Sequence, residues 1–235
     1  MIDSLLIELF RKLEIYKTNE LIIEIKESTN NQVFSYGNFI WKISDNPKNL
    51  KTEYEVLQKL ENKGKFPKPF YYWEIKKDNY VLIMEKLPGR WLQYSWNELL
   101  DTQKEGIIDE IISHLKIIHN LSEEQQWDYF CYLETEGSKM YEVCKGNPDI
   151  SKFELNQVYA DFCLKSKSLQ SVTKDRIIHN DLWYKNVLVQ NWQLTGIIDF
   201  ETSISAPKQI ELFKLLHHRY SAQNYIDDGA EDYTE

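Results

Sequence analysis

Apolar residues in the amino-terminal third of the chain follow first a helical and then a strand-like period. Apolar side chains recur every three or four positions after Asp3, which predicts a packing helix that ends near Lys17. Strand-like runs follow at residues 21–25, 32–36 and 39–43. Gly37-Asn38 joins the last two runs and is typical of a tight hairpin turn. This part of the chain therefore predicts a helix followed by an antiparallel sheet.

A second helix and a second hairpin extend the pattern. Helical periodicity covers residues 49–60. Two more strand-like runs follow, at residues 70–75 and 80–84, and bring the predicted sheet to five strands. Pro88-Gly89 then breaks the chain. We therefore predict two lobes, an amino-terminal lobe at residues 1–87 and a carboxy-terminal lobe at residues 88–235.

The carboxy-terminal lobe is predicted to be mostly helical. Apolar residues at helical spacing predict helices at residues 103–121, 134–146, 151–168 and 207–220. His119 lies on the apolar face of the first of these helices and is expected to be a core histidine with its polar atoms satisfied. β-branched runs predict short strands at residues 177–178, 187–189 and 194–198. The expected fold class is α+β with two lobes.

Composition and charge exclude several classes of protein. The chain has 235 residues and 42% hydrophobic content, which suffices for a packed core. No apolar run approaches the length of a membrane span, and the start of the chain lacks the basic residues of a secretory signal, so we expect a cytoplasmic protein without a membrane partner. A net charge of -9 argues against nucleic acid as a partner and suits a cationic small molecule.

Two polar segments of the carboxy-terminal lobe suggest phosphoryl transfer. His179 opens the pattern H-x-D-L-x-x-x-N, and Asp199 follows the next predicted strand. Phosphoryl transfer requires a carboxylate that aims the attacking hydroxyl and accepts its proton, and Asp181 is the candidate. Mg²⁺ prefers hard oxygen ligands, which Asn186 and Asp199 supply. Either segment alone also fits an ordinary loop, but the two in this order predict an ATP-dependent kinase reaction.

The amino-terminal sheet and helix supply a candidate ion pair. Lys42 alternates with bulky neighbours on its strand and therefore points to the opposite face from them. Glu53 lies seven residues before Leu60 and shares the apolar stripe of its helix. We predict that Glu53 holds Lys42 in reach of the ATP phosphates. A lysine on a strand is otherwise most often solvated.

Two further groups of residues have both a functional and a plain interpretation. Ser28 to Asn31 occupy the turn that covers the phosphates in a kinase, but the turn has no glycine, so phosphate contacts would come from backbone amides and polar side chains such as those of Ser28 and Asn31. A simple polar turn fits equally well. Trp183 and Tyr184 follow Asp181 and offer aromatic faces to a quaternary ammonium or a sugar ring, although most aromatic residues pack the core.

The chain resembles the aminoglycoside phosphotransferase and choline kinase superfamily of small-molecule kinases. The resemblance rests on five features in this order: the strand lysine, the helix glutamate, the chain break, the H-x-D-L-x-x-x-N segment and the final acid. The resemblance extends over roughly residues 20–215. It implies a bilobal protein-kinase-like fold with the nucleotide between the lobes. It further implies a gatekeeper and hinge at Met84 to Leu87, in which the backbone of Glu85 and Leu87 binds adenine.

The same resemblance assigns the remaining roles. Lys42 and Glu53 become the phosphate-binding pair, Asp181 the catalytic base, and Asn186 and Asp199 the magnesium ligands. Glu201, in the sequence Ile-Asp-Phe-Glu, becomes an additional acid near the metal and the acceptor. The cofactors implied are Mg²⁺ and ATP, with GTP as an alternative because the phosphate turn lacks glycine.

The leading hypothesis is transfer of the γ-phosphate to a hydroxyl of a small, cationic molecule such as an aminoglycoside or an amino alcohol. One alternative is phosphorylation of a protein hydroxyl. Another is a pseudokinase or nucleotide-dependent binding module. The argument against it is that all five expected polar positions carry chemically competent residues. Those positions are Lys42, Glu53, Asp181, Asn186 and Asp199. The oligomeric state is left open.

Overall fold

The structure is a computed structural model that describes residues 21–25, 31–77, 79–121, 129–168 and 176–211. The predicted first helix, Ser28 and all but the start of the predicted final helix lie outside these ranges. The strands are β1 (Ile23–Ile25), β2 (Gln32–Tyr36), β3 (Phe39–Ser44), β4 (Pro69–Lys76), β5 (Asn79–Glu85), β6 (Arg90–Trp91), β7 (Ile177–Ile178), β8 (Val187–Gln190), β9 (Gln193–Ile197) and β10 (Ile204–Ser205). The α-helices are α1 (Pro47–Leu60), α2 (Leu92–Ser95), α3 (Asp101–His119), α4 (Tyr129–Lys145) and α5 (Lys152–Ser168).

The amino-terminal part is a five-stranded antiparallel sheet, as predicted, and its strands lie in the order β1-β2-β3-β5-β4. Strand alternation gives the sheet two different faces. Trp41 and Ile83, which are paired across β3 and β5, belong to an apolar cluster on one face. Lys42 lies opposite Leu82, which belongs to the main core on the other face. The alternation of β3 thus turns Lys42 toward the side of the sheet that α1 covers.

Helix α1 begins and packs as its sequence predicts. Asn46 caps it through its side-chain oxygen, which accepts a hydrogen bond from the amide of Lys48 at 3.2 Å. Pro47 occupies the first turn, where its missing N–H costs no helical hydrogen bond. One stripe of the helix is buried and consists of Leu50, Glu53, Val56, Leu57 and Leu60. Glu53 is therefore a carboxylate placed within an otherwise apolar face.

The main core crosses from the amino-terminal to the carboxy-terminal half. It joins α1 and β5 to the apolar face of α3 and to β7, β8 and β9. The helices predicted at residues 103–121, 134–146 and 151–168 and the three predicted strands of this half are present, with α4 beginning at Tyr129 rather than at residue 134. The mostly helical carboxy-terminal half and the α+β class are confirmed. No helix within the described part of the chain is both long and apolar enough to cross a membrane.

Sequence analysis missed strands β6 and β10, and with them the pairing of two small sheets of this half. Strand β6 pairs with β8 in the three-stranded order β6-β8-β9, and β10 pairs with β7. A two-residue strand shows no alternation, and only its distant pairing partner defines it. The predicted lobe boundary at residues 87 and 88 falls between β5 and β6.

Gly89 lies so close to the backbone of Val189 in β8 that it has no room for a side chain. Its φ is 111°, and a Cβ atom there would lie 2.6 Å from the carbonyl oxygen of Val189. Because the obstacle is backbone, it cannot rotate away. We expect Gly89→Ala to lower the free energy of unfolding by about 1–3 kcal/mol, measured by denaturant unfolding.

Gly106 gives the matched control for this substitution. It lies in α3, and a Cβ atom added there would meet no atom within 4 Å. Gly106→Ala is expected to raise stability by up to about 1 kcal/mol, because alanine is the better helix former. Equal stabilities of the two alanine variants would contradict the assigned backbone constraint at Gly89.

Candidate functional site

A buried cluster of charged side chains joins β3, α1 and the loop after β9. Lys42 Nζ donates to both carboxylate oxygens of Glu53, at 3.0 and 2.8 Å. The same ammonium lies 2.5 Å from Oδ1 of Asp199. Lys42 is 8% exposed and Glu53 is fully buried. The structure thus brings together three of the residues that the sequence marks as candidates.

The charged groups of this cluster shift one another's pKa values. Burial opposes the charge on Lys42, but attraction to Glu53, Asp199 and Glu201 outweighs it, so the pKa of Lys42 is raised above its ordinary value. Burial works toward a higher pKa for Asp199, yet the adjacent ammonium holds the pKa of Asp199 below its ordinary value. For Glu53, burial raises the pKa against the opposing effect of Lys42. Lys42 therefore carries its charge, and Asp199 is more firmly ionised than Glu53.

The loop at residues 198–203, which follows β9, is held in an uncommon conformation. Asp199 has a φ of 70°, in the left-handed region. The next amide, that of Phe200, donates to Oε1 of Glu53 at 3.2 Å. Phe200 itself is buried in the main core. The loop is thus anchored directly after Asp199, and the Asp199 side chain keeps 31% of its surface exposed.

The carboxylates of this cluster fit a divalent cation. Glu53, Asp199 and Glu201 each offer an oxygen, and these oxygens lie within 4.8 Å of one another. Three carboxylates around one ammonium leave an excess of negative charge. Carboxylate oxygens are the hard ligands that Mg²⁺ prefers. The donor chemistry therefore agrees with the magnesium predicted from the sequence.

The loop at residues 179–186, which precedes β8, presents Asp181 and Asn186 side by side. The amide nitrogen of Asn186 donates to the backbone oxygen of Asp181 at 2.7 Å and to its Oδ2 at 3.2 Å. Because the amino group of Asn186 faces these two acceptors, its Oδ1 is the atom left for a cation. The amide of Ile198 donates to the Asn186 carbonyl at 3.0 Å, which ties this loop to the 198–203 loop.

Asn31, directly before β2, contacts the site. Nδ2 of Asn31 donates to Oε2 of Glu201 at 2.5 Å, across 170 positions of sequence. Glu201 is buried, and its place beside Asp199 agrees with the role of an additional acid. The sequence marks both residues as candidates but gives no signal that they touch. Asn31 thus reaches the acidic cluster directly.

The connection after β5 contains the residues for which the family resemblance implies a gatekeeper and hinge. Met84 is buried in the main core. The amide of Glu85 donates to the Lys68 carbonyl at 2.8 Å, so the carbonyl is the backbone group of Glu85 that is left for a ligand. Leu87 packs against β9, where a Cβ atom on Gly196 would lie 2.3 Å from Leu87 Cδ1.

The two aromatic residues of the 179–186 loop lie in different surroundings. Tyr184 stacks on Trp96 with ring centroids 4.8 Å apart and rests on the main core, which favours a packing role. Trp183 is half-buried, and Lys185 Nζ lies 5.0 Å from its ring centroid. The cation against the Trp183 ring in this structure is therefore the ammonium group of Lys185.

Sequence analysis did not predict the contacts of several residues that support the site. The ring of His179 is hydrogen-bonded through Nε2 to the Ile198 carbonyl at 2.9 Å. Glu211 contacts the 179–186 loop from the start of the last described helical segment. The expectation for His119 is wrong, because its Nε2 has no hydrogen-bond partner among the described residues. Such contacts join residues far apart in sequence and leave no local pattern.

The Lys42–Glu53 pair gives a stability prediction. Lys42→Met is expected to lower the free energy of unfolding by about 3–5 kcal/mol, because Glu53 would remain buried without its cation. The double variant Lys42→Met/Glu53→Gln should lose less than the sum of the single variants, since a neutral amide is cheaper to bury. Urea unfolding at neutral pH without nucleotide measures both.

The exposed pair Lys51–Glu55 on the same helix is the control, with its charged groups 3.6 Å apart. Lys51→Met should change the free energy of unfolding by less than about 0.5 kcal/mol. Strict additivity of the two changes at Lys42 and Glu53 would argue against a coupled pair.

Comparisons with known proteins bear on this arrangement. Residues 29–233 match the model of a family described as the phosphotransferase enzyme family. Comparison with curated protein sequences finds no match. Solved structures with the same fold include aminoglycoside phosphotransferase APH(4)-Ia, at 15% identity and a TM-score of 0.71, with 99% of this chain and 84% of that chain covered.

Two further structures are similar at comparable levels. The streptomycin-ATP-APH(2")-IIa ternary complex is 18% identical with a TM-score of 0.66, and ADP-bound APH(2'')-Ib is 15% identical with a TM-score of 0.69. Each comparison covers 90% of this chain and 74% of the other. These likenesses confirm the bilobal protein-kinase-like fold. Since the family model spans most of the sequence, the chain belongs to the phosphotransferase enzyme family.

Proposed function

We propose that the protein transfers the γ-phosphate of ATP or GTP to a hydroxyl group of a small, cationic molecule. The observation that carries this proposal is the Lys42–Glu53–Asp199 cluster, tied by the Asn186–Ile198 hydrogen bond to the loop that bears Asp181. The streptomycin-ATP-APH(2")-IIa complex supports it, because that related protein holds both a nucleotide and an aminoglycoside.

The proposed roles follow from charge and position. Lys42 binds nucleotide phosphates, and Glu53 fixes the direction of its ammonium group. Asp181 orients the acceptor hydroxyl and takes its proton. The acceptor oxygen forms a bond to the γ-phosphorus while the bond from phosphorus to the β,γ-bridging oxygen breaks. The nucleoside diphosphate leaves with that electron pair, and the proton resides on Asp181.

Asn186 and Asp199 are the residues that would hold Mg²⁺. When bound, the ion would neutralise charge on the phosphates. Within this assignment, Asn186 holds Asp181 through its amino group, so a single side chain would serve both the base and the cation. Glu201 then adds negative charge beside the metal position.

Nucleotide binding is assigned to the hinge and to the turn before β2. Met84 would close the rear of the adenine pocket, and the carbonyl of Glu85 and the backbone of Leu87 would bind the base. Asn31, held by Glu201, would support the turn over the phosphates. Ser28 is assigned to the same turn from the sequence alone.

The cationic character of the acceptor rests on charge. The chain carries a net charge of -9, and Glu201 adds a buried carboxylate to the site. Aminoglycosides and choline- or ethanolamine-like amino alcohols both combine a cation with a hydroxyl group. Trp183 offers such a cation an aromatic face, which Lys185 occupies in this structure.

The experiment for this function is a panel of hydroxyl compounds incubated with nucleotide and Mg²⁺, with products identified by mass spectrometry. We expect phosphorylation of cationic alcohols over neutral ones. Transfer only to proteins would replace the small-molecule proposal with a protein kinase. Thermal stabilisation by ATP without Mg²⁺ and without turnover would indicate a binding module instead.

Asp181→Asn tests the proposed base. Loss of the proton acceptor is expected to lower kcat by roughly 10²–10⁴-fold and to change the KM for nucleotide little. Steady-state release of nucleoside diphosphate measures both constants. Asp109→Asn, at an exposed position of α3, is the matched control and should keep full activity. Full turnover by the Asp181 variant would eliminate it as the base.

Asn31→Ala tests the contact between the phosphate turn and Glu201. Without its 2.5 Å hydrogen bond the turn loses an anchor, so the KM for nucleotide should rise by roughly tenfold, which corresponds to about 1.4 kcal/mol of binding. Asn156→Ala, which removes a similar bond to Tyr141 on the outer helices, should leave KM unchanged. Equal KM values for the two variants would rule out this anchor.

A further inference from the structure

Lys185 lies on the 179–186 loop, between the proposed base and the proposed metal ligand, and its charge has no role in the transfer step. Its Nζ lies 5.0 Å from the centroid of the Trp183 ring. Within the ranges that the structure describes, this ammonium pairs with no carboxylate. The face of Trp183 is therefore the contact that the structure gives to the charge of Lys185.

The Trp183 ring lies on the same side of the loop as the Asp181 carboxylate. Leu182, between them, is buried in the main core, whereas Asp181 and Trp183 are each half-buried. Trp183 has extended backbone angles, φ -151° and ψ 178°, and side chains two positions apart on an extended chain project to one side. Their Cα atoms are then roughly 6–7 Å apart. A short amino alcohol spans this distance with its hydroxyl group at Asp181 and its cation at the ring.

Both neighbours of Lys185 are fixed, so its side chain is the part that can leave the ring. Tyr184 stacks on Trp96. The backbone amide of the buried Asn186 donates to the Trp183 carbonyl at 2.9 Å. Lys185 itself is half-buried, and its flexible stem turns by rotation about single bonds. The backbone of the loop therefore stays in place when the ammonium moves.

An acceptor cation and the Lys185 ammonium compete for this ring. The lysine is tethered, so its effective concentration at the ring is high. Two cations on one aromatic face also repel each other. A quaternary ammonium group spreads its charge over methyl groups, whereas the lysine ammonium is compact and strongly hydrated. Aromatic faces hold quaternary ammonium groups well, so an acceptor that carries one is suited to displace Lys185.

We propose that Trp183 is the cation subsite for the acceptor, and that Lys185 is a specificity-determining residue that occupies this subsite until an acceptor cation displaces it. Lys185 thereby sets how strongly a cation must bind the ring before the acceptor is held beside Asp181. The inference rests on the proposed function, because it assigns the part of the acceptor site that reads positive charge. The acceptor class that it favours is an alcohol with a quaternary ammonium group.

Lys185→Ala tests the competition with choline as the acceptor. Removal of the internal cation is expected to lower the KM for choline by roughly two- to fivefold, because an exposed cation–π contact no longer has to be broken. The KM for nucleotide and kcat should stay within about twofold. Lys185→Arg, which retains a cation, should not lower the KM for choline. Steady-state release of nucleoside diphosphate measures these constants.

Lys145→Ala is the matched control. Lys145 Nζ lies 5.6 Å from the ring centroid of Tyr141 on α4, so this variant removes a similar contact outside the 179–186 loop. It should leave the KM for choline unchanged. A KM for choline that is unchanged or raised in Lys185→Ala would overturn the proposal, because the ammonium would then not compete with the acceptor.

NMR tests the displacement without turnover. The methylene protons next to the Lys185 nitrogen lie near the Trp183 ring, so its ring current should shift their resonances upfield, and their absence from Lys185→Ala identifies them. Tetramethylammonium chloride has no hydroxyl group to phosphorylate, and it should return these resonances toward ordinary lysine values. Sodium chloride at the same concentration should not.

The NMR titration separates failure of the subsite from failure of the proposed function. Lys185 resonances that stay shifted upfield in tetramethylammonium would refute the subsite, whether or not the protein transfers phosphate. If the protein phosphorylates no alcohol while tetramethylammonium still displaces Lys185, the proposed function fails and the cation subsite is supported.

Discussion

The rest of the site depends on one buried ammonium group. Lys42 could not remain charged inside the protein without carboxylates, and Glu53 and Asp199 supply them from α1 and from the 198–203 loop. Each carboxylate in turn needs donors, and the amide of Phe200 provides one for Glu53. A single charge thereby imposes mutual positions on three elements that are far apart in the sequence.

The two loops of the carboxy-terminal half are joined by backbone as well as by charge. The amide of Ile198 bonds the Asn186 carbonyl, and the neighbouring amide of Ile197 bonds the Lys65 carbonyl, both at 3.0 Å. The second bond reaches the segment between α1 and β4. The main core lies beneath these links and contains residues of both halves. The relative positions of the two loops and the charged cluster are thus supported by packing, by backbone pairing and by the shared ammonium.

Local periodicity was enough to predict the parts of the site that lie on regular elements. Alternation along β3 gave the direction of Lys42, and the helical stripe of α1 gave Glu53. The H-x-D-L-x-x-x-N spacing gave Asp181 and Asn186, which lie close together because they share one short loop. The five-stranded sheet followed from two hairpins and their turns.

Contacts between distant segments could not be predicted in this way. The Asn31–Glu201 bond spans 170 positions, and the bonds of Glu211 span 31 and 32. Neither carboxylate differs in its local pattern from an exposed one. Their burial arises from the assembled fold, in which Glu211 lies against the backbone of His179 and Asn180. The left-handed conformations of Asn180 and Asp199 have the same origin.

Among the described residues, helices α4 and α5 pack mainly on each other, with Tyr141 stacked on Tyr159 and their outer residues exposed. Leu133 connects this pair to the cluster around Ile178. Because the pair shares so little with the main core, substitutions on its outer surface can accumulate without disturbing the charged cluster. This hairpin is therefore the region where a lineage of such proteins is most free to diverge while its chemistry is preserved.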